Sequence, residues 1–189
     1  TRAECRAQLG LPVDACVLLF FGRIARYKGL ETLFDAFRDT GSDVFLVVAG
    51  APVSAAYGHL IEQLVRDHPC KARILSCLRV IDNADVATYF RAADALVMPY
   101  RHIDQSGVLF LALRFEVPVI AFDVGALNEY VHNNTGVLVR GESAEDLAGG
   151  IMTFMRERQR FEVNAIRSHT FRFRWDQVLT PLIKAYQTC

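Results

Sequence analysis

Several things are scarce or missing in this 189-residue sequence, and each removes a class of function. Neither sign of charge is in excess: 21 Lys and Arg balance 21 Asp and Glu. A nucleic-acid-binding domain is usually basic, so no nucleic-acid partner is expected. No apolar run reaches membrane-spanning length, and the opening TRAECRAQLG is not the pattern of a signal peptide. The five cysteines (Cys5, Cys16, Cys70, Cys77, Cys189) are scattered and lack C-x-x-C spacing. That argues against a disulfide framework or a zinc site and fits a reducing cytoplasm. D-x-D, H-E-x-x-H, G-x-S-x-G and the P-loop pattern are all missing, so no metal is expected. His59, His68, His132 and His169 show no ligand spacing, and no repeat or low-complexity linker interrupts the chain.

What is present is apolar and periodic. The chain is 52% hydrophobic and long enough for one substantial domain. Short β-rich runs recur at 17–22, 44–50, 72–78, 95–100, 117–122 and 135–139. They are continuous rather than alternating, as expected of strands covered on both faces. Helical patterns fall between them, near 30–39, 54–67, 83–93, 107–115 and 125–132. This alternation predicts a doubly wound, Rossmann-like α/β domain with a six-stranded parallel sheet. After residue 140 only helices follow. Ser143 and Asp146 form a capping-box pattern, and WDQVLTPLIKAYQ closes a helical tail.

In such sheets ligands bind beyond the carboxyl ends of the strands. Four stretches meet that condition. Gly22, Arg23 and Lys28 follow the first strand, in LLFFGRIARYKGLETLFDAF. Two cations before a helix start are poorly matched to its dipole unless an anion joins them; two ordinary surface charges are the plain alternative. Ser106-Gly107 opens the helix after strand four, where small residues expose amides that suit a phosphate; an N-cap serine is the plain alternative. His102 lies in the same loop. Leu78–Ile81 follow strand three, with Asp82 or Asn83 as cap, and could support a flat base or form a simple turn. Gly125 and Glu129 follow strand five; Glu129 reads equally as a surface carboxylate.

Together these segments resemble the C-terminal half of a retaining GT-B glycosyltransferase of family four, group 1. The resemblance is collinear. FFGRIARYKGLETLFDAF is similar to the family's G-R-x-x-x-x-K-G and helix. VATYFRAADALVMPY resembles the next helix–strand segment. QSGVLFLALRFEVPVIAFDVGALNEYV resembles the helix, strand and G-x-x-E turn that follow, and FRWDQVLTPLIKAYQ resembles the closing helix. The resemblance implies that residues 1–189 are one nucleotide-sugar-binding domain, half of a GT-B fold. Arg23 and Lys28 would clamp the donor diphosphate. Gly22, Asp104, Gln105, Ser106 and Gly107 would surround phosphates and sugar, Arg79 and Val80 would hold the base through backbone contacts, and Glu129 would lie beside the pocket. No cofactor beyond the donor is implied.

Two departures stand out. Most members carry a glutamate pair around the fourth helix, and alignment on Pro118 places Ile103 and Leu111 there. The first carboxylate normally lies beside the donor sugar and the second accepts from the ribose hydroxyls. Asp104 or Gln105 is a substitute near the sugar. The family's acceptor-binding N-terminal domain is also not in this sequence, so the chain is read as the donor half of a longer cytoplasmic enzyme. Alone it is expected to be inactive; whether the parent sits peripherally at a membrane stays open. The rival readings are a nucleotide-binding or assembly module without catalysis, a GT-B sugar epimerase and a flavodoxin-like domain.

Overall fold

The computed structural model describes residues 1–103, 105–173 and 175–187. Six strands form one sheet: β1 (Cys16–Phe21), β2 (Val44–Ala49), β3 (Ile74–Cys77), β4 (Ala95–Met98), β5 (Val119–Phe122) and β6 (Gly136–Val139). Their order is β3-β2-β1-β4-β5-β6, and every pairing is parallel. Every residue of β1, β4 and β5 is buried, which is why these strands read as unbroken apolar runs. The expected Rossmann-like fold is therefore present. Its order reverses between β1 and β4, and that switch point opens a crevice at the carboxyl ends.

The first helix, α1 (Arg2–Gln8), was not anticipated. Thr1 caps it in a capping box with Glu4. It is held by a contact that no local pattern reveals. Asp94, 6% exposed at the start of β4, accepts from Arg6 Nη2 and from the Val17 amide, both at 2.7 Å. Its other oxygen accepts from Arg2 at 2.9 Å and pairs with Arg158 at 2.8 Å. Arg6 spends its remaining donors on the carbonyls of Ala92 and Val13. One carboxylate thus ties α1, β1, β4 and the turn after the later helix α7 (Ala144–Arg156).

The other helices follow the expected order: α2 (Leu30–Phe37), α3 (Ala55–Asp67), α4 (Asn83–Ala92), α5 (Gly107–Arg114) and the short α6 (Leu127–Tyr130). Ser143 and Asp146 form the expected capping box of α7. Beyond α8 (Val163–Phe171), the single closing helix read from the sequence is two: α9 (Trp175–Val178) and α10 (Thr180–Gln187). Pro181 explains the break. It lacks an N–H, and its ring collides with a preceding helical carbonyl unless it sits in a first turn.

Asp94→Ala should destabilise the fold by roughly 3–5 kcal/mol, because it leaves the Arg6 guanidinium buried without its carboxylate. Urea unfolding checks this; a loss below about 1 kcal/mol with an unchanged slope would mean that the arginines find other partners.

Candidate functional site: a cationic cleft at the strand switch point

Three turns meet where β2, β1 and β4 end. The turn after β1 folds back on the β2 turn, with the Ile24 amide donating to Ala51 O at 2.8 Å. A 3₁₀ turn, Arg26–Lys28, follows, and then Gly29 starts α2. Gly29 has φ +67°, and a Cβ there would lie 2.1 Å from the Pro99 carbonyl oxygen. Gly50 has φ +151°, and a Cβ there would lie 1.9 Å from the Gly22 carbonyl oxygen. No side chain fits at either point, so glycine lets the β1 turn wedge between its neighbours. The Arg101 amide donates to Tyr27 O at 2.8 Å and locks the β4 turn onto this arrangement.

That wedge buries Lys28 to 6% exposure. Its Nζ lies 4.9 Å from the centre of the Tyr100 ring, a cation–π contact. Among the described residues no carboxylate pairs with it. Loss of water therefore acts almost unopposed and pushes its pKa down from 10.5 to about 8. Lys28 is thus not the exposed loop charge that its sequence position implies. Arg23 is exposed and likewise has no ion pair among the described residues. The neighbouring Arg26 is accounted for. It lies over the Tyr57 ring at 5.1 Å and 3.8 Å from Glu31.

The start of α5 faces the same turn. Val108 Cγ2 would lie 3.0 Å from a Cβ at Gly22, while Lys28 Nζ would lie 3.5 Å from it. Ser106 is buried at the N-cap, yet its side chain makes no capping bond. Its hydroxyl instead meets the Tyr100 phenol, whose pKa burial pushes up and Ser106 opposes. The first amides of α5 are left without an internal acceptor, as at any helix start. Gly107 adds no side chain to cover them, and Gln105 is exposed beside them. Asp104 lies outside the described residues.

A cleft of about 460 Å³ runs from this corner. Gly22, Arg23, Gly50, Ala51 and Pro52 line one part, and Val80, Ile81, Asn83 and Val86 another; Phe21 and Leu111 complete it. Gly22, Arg23 and Val80 therefore share one space; Lys28, Ser106 and Gly107 do not line it, although Lys28 Nζ and Val108 lie against the Gly22 turn. Arg79 is placed differently: its guanidinium lies 3.8 Å from Asp82 and 4.0 Å from Asp85, on the outside of α4. Glu129 is exposed on α6 and does not line the cleft, and Ile103 packs half-buried against the core. His102 is exposed, with its ring 5.1 Å from that of Tyr27. Gly50, Ala51, Pro52 and Val86 were missed in the sequence. The first three follow β2, so the carboxyl-end rule could have found them.

Another hollow, of about 500 Å³, lies between α5 and α8, by the amino end of β5. Its Arg167 is paired with Glu116 at 2.6 Å, which leaves it little to offer an anion. No cluster of three His, Cys, Asp or Glu side chains suited to a metal occurs among the described residues.

Comparison with known proteins agrees with this geometry. The chain is 30% identical over 190 residues to a D-inositol 3-phosphate glycosyltransferase of Xylanimonas cellulosilytica, covering 98% of this chain and 45% of that protein. It thus spans less than half the length of the curated relatives it matches. Sucrose-phosphate synthase from Thermosynechococcus elongatus superposes with a TM-score of 0.84 at 29% identity, over 98% of this chain and 48% of that one. The fold is shared with Anabaena HepE, crystallised with UDP and glucose, at a TM-score of 0.81 and 21% identity, over 100% of this chain and 52% of HepE. Residues 1–168 match the family of glycosyl transferases group 1, and the chain belongs to that family, with the fold of one half of a GT-B enzyme.

Proposed function

We propose that the cleft binds a nucleoside-diphosphate sugar, and that this chain is the donor half of a retaining, metal-independent glycosyltransferase. One observation carries the reading: among the described residues, a buried ammonium has no carboxylate, an exposed guanidinium without an ion pair stands on the same turn, and a helix start faces that turn, at the switch point of a parallel sheet. A diphosphate supplies the missing charge. HepE, with its bound UDP, makes uridine the first base to test. The relatives' greater length supports an N-terminal domain that carries the acceptor site. The acceptor would be a glycan, a lipid or a small molecule.

Transfer needs negative charge to be stabilised on the departing diphosphate as the anomeric bond breaks. Arg23, Lys28 and the first amides of α5 would do so, Lys28 and the amides from places fixed before the charge develops. Lys28 suits this role because little water surrounds it. Among the described residues lining the cleft, no side chain reads as a nucleophile. The acceptor and its positioning groups belong to the other domain, so the isolated chain should bind donor without transferring it. The apolar lining at Leu111 keeps a second reading alive, a nucleotide-binding module without turnover. A full-length protein that binds donor yet transfers nothing would favour that module.

Two substitutions test the clamp. The lowering of the Lys28 pKa from 10.5 to about 8 corresponds to roughly 3 kcal/mol of penalty on the charged form. Lys28→Met should therefore stabilise the unliganded fold, by about 1–3 kcal/mol, while weakening UDP binding at least tenfold. The pH dependence has a definite sign. Between pH 8 and 10.5 the unfolded chain binds the Lys28 proton and the folded chain does not, so stability rises with pH there. Denaturation across that range should show this rise in the wild type and lose it in Lys28→Met. A variant less stable than the wild type at pH 7 would refute the unpaired-ammonium account.

Arg23→Ala should leave stability within about 0.5 kcal/mol, since Arg23 is exposed and unpaired. It should weaken UDP binding by roughly ten- to a hundredfold and leave uridine binding unchanged. Calorimetric titration with UDP and with uridine, repeated at higher salt, measures both effects. Equal diphosphate affinity in wild type and variant would remove Arg23 from the site.

A further inference from the structure

The middle of the cleft has a property that the diphosphate clamp does not use. On the nucleotide reading above, charge gives the ligand its direction: phosphates toward Arg23 and Lys28, base toward Val80 and Ile81. The sugar that joins them must lie between. Val108 reaches the Gly22 turn, and Leu111 lies three residues on, one turn farther along the same face of α5. That is about 4.5 Å along the helix axis, which sets Leu111 beside the nucleoside sugar rather than the phosphates.

This stretch offers a sugar hydroxyl almost nothing. Leu111, Val86 and Phe21 are apolar. Arg23 and Asn83 are the polar side chains among the described residues lining the cleft, Arg23 on the turn after β1 and Asn83 at the start of α4. The Ala51 carbonyl already accepts from the Ile24 amide. We propose that the cleft does not select the ribose 2′-hydroxyl, and that Leu111 is the residue that sets this. Deoxyribonucleoside diphosphates, and thymidine diphosphate sugars with them, are then ligands of equal standing with ribonucleotides. A site built to bond a hydroxyl rejects the analogue lacking it, because the protein's own polar group is left unpaired. An apolar wall has no such group to strand. Ribose is not rejected either, since its hydroxyl keeps water in an open cleft.

The test is calorimetric titration of the chain with three matched pairs: UDP and dUDP, GDP and dGDP, ADP and dADP. Each pair differs in that hydroxyl alone. For whichever base binds, the wild type should hold the two members with dissociation constants within threefold. A preference of tenfold or more for the ribonucleotide overturns the proposal. Leu111→Glu places an acceptor in the stretch and should shift the ratio at least tenfold toward the ribonucleotide; a charge-assisted bond is of that size. Leu111→Gln, without the charge, should shift it in the same direction by several-fold, and serves if the glutamate variant does not fold. An unchanged ratio in the folded variants removes Leu111 from the role. If no nucleoside diphosphate binds at all, the nucleotide reading itself fails, an outcome distinct from ribonucleotides binding alone.

Discussion

Where the Gly29 backbone meets the Pro99 carbonyl, the space is too small for one carbon atom. The rest of the site depends on this contact. It presses the turn after β1 against the turn after β4, and these strands flank the point where the sheet order reverses. The pressure puts Lys28 under cover, on the ring of Tyr100. Ser106, beside Tyr100, makes no capping bond to α5. The site thus holds a largely buried ammonium next to a helix start whose amides its N-cap side chain leaves uncapped. Neither state favours the empty fold, and both favour an anion.

The same domain shows what a buried cation looks like when its task is structural. Arg6 is as buried as Lys28, but it faces Asp94 at 2.7 Å and two carbonyls besides. Its burial is compensated within the chain, and its partners come from distant elements that it holds together. Lys28 touches a ring face and no oxygen among the described residues. The two cases separate on hydrogen-bond accounting alone. Buried charge with internal partners secures a fold, whereas buried charge without them waits for a ligand.

The sheet was largely legible from sequence because its strands are buried on both faces. Runs such as VLLFFG and VPVIAF carry that burial in their composition, and Gly22, Pro99 and Ser106 mark where the strands stop. The carboxyl-end rule then places Arg23 and Lys28 correctly relative to the sheet. What sequence could not carry is distance between elements. Lys28 is a loop residue by position, and its burial follows from a turn seventy residues away. Asp94 looks like an ordinary helix-end carboxylate until α1 and the end of α7 arrive beside it. Arg79 sits where the base-binding loop was expected, but Asp82 and Asp85 draw its side chain outward. The expectation for this loop was of backbone contacts, and the loop does line the cleft, at Val80 and Ile81.

Leu111 joins these points. If charge that the fold itself disfavours fixes the phosphate end, as proposed, affinity can be concentrated at one end of the ligand. Two cations and a helix start supply strong, directional contacts there, and the nucleoside sugar then need not be held by a bond of its own. An apolar residue in the middle is consistent with that division. Val80, 72% exposed at the other end, would give a base a surface and no hydrogen-bonding side chain. On the proposed reading such a site would read the anion closely and the nucleoside loosely. Discrimination among donors then falls to the backbone of the Val80–Ile81 loop, to Asn83, and to the groups around the transferred sugar.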